Sequence, residues 1–356
     1  MFLNIRLRWL RDKLNALNIE GMIVSNPINI KYLTNIDAEG ELLITRKENA
    51  FVTDGRYIEA VNSVLTIEDE IVTYDKKTMI KEDYENFFIF CEKVGFEEGF
   101  VTYENYKRLK QLYRINDFVE TEHLIEKQRI IKDEDEIEKI KKACEITDRC
   151  FSHILKFIKI GMTEIEISRE IENYIKNNGG DGVAFETIVA SGPNSSKAHS
   201  IVTGRKIQKG DIILMDFGAK YKGYCADMTR TVFMKYVPEE IKKYYDLVLK
   251  NQLNVLKDCM VNTNIKTLVR GVESDFKIND LDLIHALGHG VGMDVHELPV
   301  MSSRYDYILK ENMVMAVEPG VYIPGRFGIR IEDTILISKN NCIKLTNSEK
   351  NYIIIP

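Results

Sequence analysis

The sequence predicts an α/β protein of the α+β kind in two domains, a small α/β domain followed by a larger one organised around antiparallel strands. Three observations predict it. Helix and strand patterns alternate through the first third of the chain, and a densely charged stretch follows near residue 125. Beyond it, two αβ segments of related pattern recur, and two hairpins carry carboxylates at their mouths.

Leu3, Leu7, Leu10, Leu14 and Leu17 fall on one face of a helix over residues 3–18. Short apolar runs at Met22–Val24, Glu41–Thr45 and Ala50–Thr53, each bounded by turn residues, read as strands. A further helix is expected after Asp54-Gly55-Arg56. Glu126–Ala143 is dense in Lys, Glu and Ile, with apolar residues at Ile130, Ile137 and Ile140. It reads as a charged linker running into a long amphipathic helix, which sets domains of 1–125 and 126–356. In the second domain, Ile160–Gly192 and Met260–Gly292 each run from a Thr-rich helix start through an amphipathic helix and a strand to a glycine-rich turn. That is the pattern of a duplicated αβ unit.

With 356 residues, 44% hydrophobic and 29% charged, the chain can bury a substantial core and is not a disordered polymer. A net charge of −6 leaves no electrostatic footprint for nucleic acid. The most basic stretch, Arg6 to Lys13, alternates with Leu and Trp and reads as a solvated helix face. No run of about 18 apolar residues is present to span a membrane. Met1–Arg6 lacks the apolar core and cleavage site of a signal peptide. Six cysteines, scattered without a C-x-x-C pair, fit free thiols in a reducing, cytoplasmic setting.

The chemistry concentrates between Gly210 and Phe233. Ile212–Met215 reads as a buried strand, Lys220–Gly223 as a turn and Thr229–Met234 as a returning strand. Asp216 and Asp227 are equidistant from a midpoint between Tyr221 and Lys222, so they are expected to face each other, with Cβ atoms roughly 4.5–5.5 Å apart. Like charges so placed repel unless a cation lies between them. The pattern repeats where the strands Met313–Val317 and Ile329–Ile337 flank Pro324–Gly328, with Glu318 and Glu332 equidistant from Gly325. Four carboxylates on two hairpins form a divalent-cation site if the hairpins meet.

Four histidines accompany them. In Ile284–Gly292 the alternating Gly288, Gly290 and Gly292 argue against an H-x-x-x-H helix through His285 and His289, and for a tight loop where backbone approaches a ligand. The glycine spacing is not a dinucleotide fingerprint, and His296-Glu297 is not a zincin motif, since no second histidine follows and Pro299 breaks a helix. His289 is read as a metal ligand, and His199, His285 and His296 as site residues. His123 and His153 are read as surface or core residues.

Together these residues make the chain resemble the pita-bread metallopeptidases, specifically the Xaa-Pro dipeptidase (prolidase) and Xaa-Pro aminopeptidase group. The resemblance rests on Met215–Gly218 with Ala226–Arg230, on Leu287–Gly292, on Val317–Gly320 and on Arg330–Asp333, in order, and covers essentially the whole chain. It implies a creatinase-like N-terminal domain ahead of a pita-bread catalytic domain, with pseudo-twofold αβ repeats around a curved antiparallel sheet. It also implies five metal ligands, Asp216, Asp227, His289, Glu318 and Glu332, with Asp227 and Glu332 bridging two divalent ions. Glu318 would double as the proton shuttle, His199 and His296 would contact the substrate and the developing tetrahedral centre, and His285 and Arg330 would either support the ligands from behind or border the substrate pocket. The His199 segment lacks the proline that commonly precedes this histidine, and the second repeat looks shortened around Val261–Asp275.

The implied reaction is hydrolysis of Xaa-Pro bonds at the N-terminus of dipeptides or short proline-containing peptides, by a hydroxide held between the ions. Oxygen-rich ligation with one imidazole suits Mn²⁺, Co²⁺ or Zn²⁺, and the resemblance favours Mn²⁺. It also implies a homodimer, with no nucleic-acid or membrane partner. Two other functions share this architecture, a non-catalytic binding module that has lost ligands and a metal-free, creatinase-like amidinohydrolase. Retention of all five ligands argues against both.

Overall fold

In the computed structural model, which describes residues 2–66 and 70–356, the chain divides into two units, Met1–Gln128 and Arg129–Pro356. The first is built on a six-stranded mixed sheet of order β4-β3-β2-β1-β5-β6. Its strands are β1 (Gly21–Val24), β2 (Gly40–Thr45), β3 (Asn49–Thr53), β4 (Ile71–Asp75), β5 (Lys93–Phe96) and β6 (Asp117–Glu120). The first three pair antiparallel, and the others add parallel to their neighbours.

The helices of this unit are α1 (Phe2–Ala16), α2 (Pro27–Thr34), α3 (Ile58–Val64), α4 (Lys81–Phe87) and α5 (Tyr103–Leu112), with α6 (Leu124–Arg129) closing it. Leu7, Leu10 and Leu14 of α1 are buried as the periodicity expects, but Leu17 is exposed because the helix ends at Ala16. The side chain of Leu3 lies outside the described residues. The short helix α2 is absent from the sequence reading. Its signal was local: the Asn26 side chain accepts from Ile28 N at 3.0 Å, and Pro27 opens the helix.

The second unit opens with α7 (Glu134–Phe157) and α8 (Glu164–Asn177). The strands β7 (Gly182–Val183), β8 (Ile188–Ser191), β9 (Ile212–Phe217), β10 (Ala219–Tyr221), β11 (Tyr224–Cys225) and β12 (Met228–Met234) follow. Then come α9 (Glu239–Asp258), α10 (Ile265–Ile278), β13 (Gly288–Gly290), β14 (Glu297–Met301), β15 (Val314–Val317), β16 (Gly320–Ile323), β17 (Phe327–Arg330), β18 (Asp333–Ile337), β19 (Cys342–Lys344) and β20 (Ile354–Ile355). Two sheets dominate, β20-β12-β9-β8 and β14-β13-β15-β18-β19. Each has its own buried apolar cluster, shared with α7 and α8 in the first case and with α9 and α10 in the second.

The duplication is visible atom by atom. Thr163 and Asn264 cap α8 and α10, and both bridge a later segment, at Lys206 and Ile308. One residue on, Glu164 N donates to Arg205 O and Ile265 N to Tyr307 O. Two residues before each cap stands a left-handed residue, Gly161 at φ 90° and Asn262 at φ 72°. Both helices have 14 residues.

Among the described residues, all six cysteines are free and no helix is long and apolar enough to cross a membrane.

Candidate metal centre

The first carboxylate hairpin has a register two residues from the expected one. Asp216, at the end of β9, stands opposite Thr229 rather than Asp227. The cause is the turn, Tyr221–Tyr224, whose central residues Lys222 and Gly223 have φ of 47° and 82°. Positive φ at both positions is the geometry whose twist suits a two-residue hairpin. Asp227 falls just before β12, level with Gly218, where a Cβ would lie 1.7 Å from Ala226 O. The second hairpin keeps the expected register. Gly320 pairs with Arg330 and Val317 with Asp333, so Glu318 and Glu332 occupy matching positions between two ladders.

The His289 segment is a strand, not a loop. β13 lies between β14 and β15, and its glycines admit the neighbouring backbones rather than a ligand. A Cβ on Gly288 would stand 2.0 Å from Ala316 O, and one on Gly290 2.2 Å from Leu298 O. A bulge interrupts the register between His289 and Gly290.

These elements bring the five residues together. Ligand atoms of Asp227, His289 and Glu332 lie within 4.8 Å of one another. His289 Nε2 is 3.5 Å from Asp227 Oδ2 and 3.5 Å from Glu318 Oε1. Asp216 joins through Arg330, whose Nη2 lies 2.6 Å from Asp216 Oδ2 and whose Nε lies 3.9 Å from Glu318 Oε2. Burial, and then the charge of Glu332, pushes the Asp227 carboxyl well above its ordinary range. Burial, and then Glu318, does the same to Glu332, and burial raises Glu318 to about 8.

Hydrogen-bond accounting identifies what such a cluster fits. His289 Nδ1 meets Gly290 O at 3.1 Å. A carbonyl only accepts, so the proton is on Nδ1 and the Nε2 lone pair points at two carboxylates. Burial, then His296, lowers the imidazole to about 4, which keeps that lone pair unprotonated. Asp216 Oδ1, Asp227 Oδ1 and Glu332 Oε1 are buried with no hydrogen-bond partner. Among the described residues no lysine or arginine pairs with Asp227 or Glu332. Converging lone pairs without donors are costly, and hard divalent cations satisfy such an oxygen-rich donor set with one imidazole.

The remaining expected residues border this core. His296 is exposed, its ring 4.4 Å from that of His289, and His199 is exposed on the loop after β8. Arg330, expected behind the ligands or at the substrate pocket, is buried and spends its donors on protein, Asp216 among them. Nε reaches Thr229 Oγ1 at 3.0 Å, Nη1 reaches Ala198 O at 3.2 Å and Tyr322 Oη at 2.5 Å, and Nη2 reaches Asp216. His285 Nδ1 donates to Ala286 O at 2.7 Å, and with the ring lowered to about 4 by burial, Nε2 accepts from Tyr322 Oη at 3.1 Å. Thr229 completes the support, donating its hydroxyl to Glu332 Oε2 at 2.7 Å. Thr229 and Tyr322 escaped the sequence reading because neither has a metal-ligating or titratable signature near pH 7.

Residues 138–339 match the model of Metallopeptidase family M24, and residues 6–131 match the Creatinase/Prolidase N-terminal domain. The chain belongs to metallopeptidase family M24, with a creatinase-like α/β domain ahead of a pita-bread catalytic domain. It is 35% identical to an uncharacterized peptidase of Bacillus subtilis over 99% of this chain and 100% of that one. The structure of an Xaa-Pro dipeptidase from Bacillus anthracis superposes with a TM-score of 0.93 at 33% identity, covering 99% of each chain. That of an X-Pro aminopeptidase from Thermotoga maritima gives 0.86 at 30%, covering 97% of this chain and 100% of that one.

Proposed function

We propose that this protein is a dinuclear Xaa-Pro peptidase, cleaving the bond ahead of proline at the N-terminus of dipeptides or short peptides. The convergence of one imidazole lone pair and three partnerless carboxylate oxygens carries the reading, and the names of its structural relatives support the substrate class.

Asp216, Asp227, His289, Glu318 and Glu332 would hold the ions, which when bound acidify a water and polarise the scissile carbonyl. Everything else is done by the chain. Glu318, partly open to solvent, takes a proton from the attacking water and delivers it to the proline nitrogen as the bond breaks. His199 and His296 donate to the oxygen that gains charge. His289 stays neutral because it is buried, and its Nδ1–H, committed to Gly290 O, leaves the Nε2 lone pair facing the site. Arg330 offsets part of the carboxylate charge and holds Asp216 in place.

An X–Pro bond is a tertiary amide without an N–H, and proline fixes φ, so a site that grips the free amino end suits it better than a β-strand cleft. Our reading takes Mn²⁺ as the ion, a homodimer as the assembly and the cytoplasm as the compartment.

The test is cleavage of Ala-Pro and Ala-Pro-Ala under added Mn²⁺. Hydrolysis of the dipeptide alone makes the protein a dipeptidase, and hydrolysis of the tripeptide an aminopeptidase. Cleavage of neither by metal-loaded protein contradicts the proposal. His296→Ala should retain its metal and lose turnover by roughly 10²-fold; loss of metal in that variant would show the residue to be a ligand instead.

A further inference from the structure

His199 sits in a loop with little regular structure of its own. After β8 only a short 3-10 turn, Gly192–Ser196, intervenes before β9. Both ends of the loop converge on one carboxylate, that of Glu164, the first residue of α8, whose exposure is 0%. Its Oε1 accepts from Ser191 N and Ser191 Oγ, each at 2.7 Å. Its Oε2 accepts from Thr203 N at 3.0 Å and Thr203 Oγ1 at 2.6 Å. Asn194 Nδ2 donates to both oxygens, at 3.1 and 3.2 Å. Arg205 reinforces the same corner, reaching Ser191 Oγ at 2.6 Å while forking onto Asp211 at 2.6 and 2.9 Å.

The inner side of the loop is pinned to β17. Gly328 N donates to Ser195 Oγ at 2.8 Å, and Arg330 Nη1 donates to Ala198 O, next to His199. A Cβ on Gly328 would lie 2.0 Å from Ser195 O, so the loop sits directly against that strand. Arg330 also holds Asp216. The loop that bears His199 is therefore held between one anchor tied to the carboxylate cluster and another made by Glu164.

The duplicated half supplies a built-in control. Ile265 occupies the place of Glu164, with the same backbone hydrogen bond and the same 0% exposure. An acid is thus not required to start this helix. What the acid adds in the first copy is its grip on the loop after β8, where all its side-chain donors lie.

We propose that Glu164 is a positioning residue, which holds the Ser191–Thr203 loop so that His199 stands beside the carboxylate cluster and acts only through that loop. The inference rests on reading His199 as a substrate-contacting residue. Every partner of Glu164 is a donor, so Glu164→Gln turns an amide N–H₂ toward N–H and O–H groups and breaks the arrangement without changing its volume.

The experiment compares full-length wild type, Glu164→Gln, His199→Ala and the double variant. In Glu164→Gln, amide exchange over residues 191–203 of the metal-free chain should quicken by roughly tenfold or more while β9 and β12 stay protected. Metal content should be unchanged, and kcat for Ala-Pro should fall by roughly 10²-fold with a smaller change in KM. The double variant should be no slower than His199→Ala alone. Loop exchange equal to wild type, a rise spread evenly over the whole unit, or losses that simply multiply would each overturn the assignment. Thr203→Val, which deletes one donor and keeps the carboxylate, should give the same pattern at lower amplitude and decides the matter should Glu164→Gln not fold. Because exchange is read without metal, an inactive wild type would defeat the functional reading while leaving this comparison intact.

Discussion

Glu332 and Asp333 are neighbours in sequence, both buried, and treated in opposite ways by the fold. Asp333 is surrounded by donors: Arg230 Nη2 at 2.7 Å, Lys350 Nζ at 2.6 Å, Gln252 Nε2 at 2.9 Å and Thr346 Oγ1 at 3.1 Å. Burial pushes its carboxyl up, but Arg230 and Lys350 outweigh that and hold it below its ordinary value. Glu332 faces other carboxylates, receives one hydroxyl and keeps a buried oxygen with no partner. Burial of a carboxylate is therefore not what marks a metal site in this molecule. The marker is burial without donors, on the side of the strand where Asp227 and His289 also converge.

The largest test of that contrast is Glu332→Gln or Asp227→Asn. Each should lose bound metal and at least about 10³-fold in kcat/KM, beyond the ~10–100-fold typical of outer partners. The metal-free Glu332→Gln chain should be no less stable than metal-free wild type, because the change relieves repulsion. Full activity with unaltered metal content would refute the ligand assignment.

Asp333→Asn should do the reverse. It leaves Arg230 and Lys350 buried without their counter-charge, so denaturant unfolding should show a loss of about 3–5 kcal/mol, with metal content per folded chain unchanged. Loss of metal without loss of stability would erase the distinction between the two neighbours.

Arg330→Lys is expected to act more mildly. Lysine cannot reproduce a fork that reaches Asp216, Thr229, Ala198 and Tyr322 together, so kcat/KM should fall about 10–100-fold with metal affinity weakened. Wild-type kinetics in this variant would show that the contact with Asp216 is incidental.

The smallest effect is one of pH. In metal-free protein Glu318 titrates near 8 and Asp227 and Glu332 are also raised, so the folded chain keeps protons that the unfolded chain releases. That contribution is complete below the ordinary carboxylate range and is lost as pH rises through about 8. His289, lowered to about 4, acts oppositely but only between about 4 and 6.5. Glu97 in the first unit, raised by burial to about 7, adds to the carboxylate trend but should not respond to metal. Metal-free Tm should thus fall between pH 6.5 and 8.5, and bound metal should remove much of the slope; an identical slope with and without metal would contradict the coupling.

Much of this was legible in the sequence, and the exceptions have physical causes. Strand β1 and the Glu318/Glu332 register followed from apolar runs and turn residues, which are local. The Asp216/Asp227 register did not, because the left-handed Lys222 moved the turn centre by one residue and so shifted every pairing by two. Gly288 and Gly290 beside His289 suggest in sequence a ligand's approach but in the structure admit neighbouring strands, since a sequence shows that space is needed but not what fills it. Nothing in the sequence says which donors Arg330 spends on which partner, and nothing sets Glu164 apart from its fellow first-turn acid Glu166. Their roles depend on partners far along the chain, Asp216 for the one and Thr203 for the other, which no local pattern records.

The most direct test is calorimetric titration of the metal-free, full-length chain with Mn²⁺, beside Glu332→Gln and Asp333→Asn. Wild type and folded Asp333→Asn should each take up two ions per chain, and Glu332→Gln fewer. Equal uptake by wild type and Glu332→Gln, or none by wild type, would contradict the account.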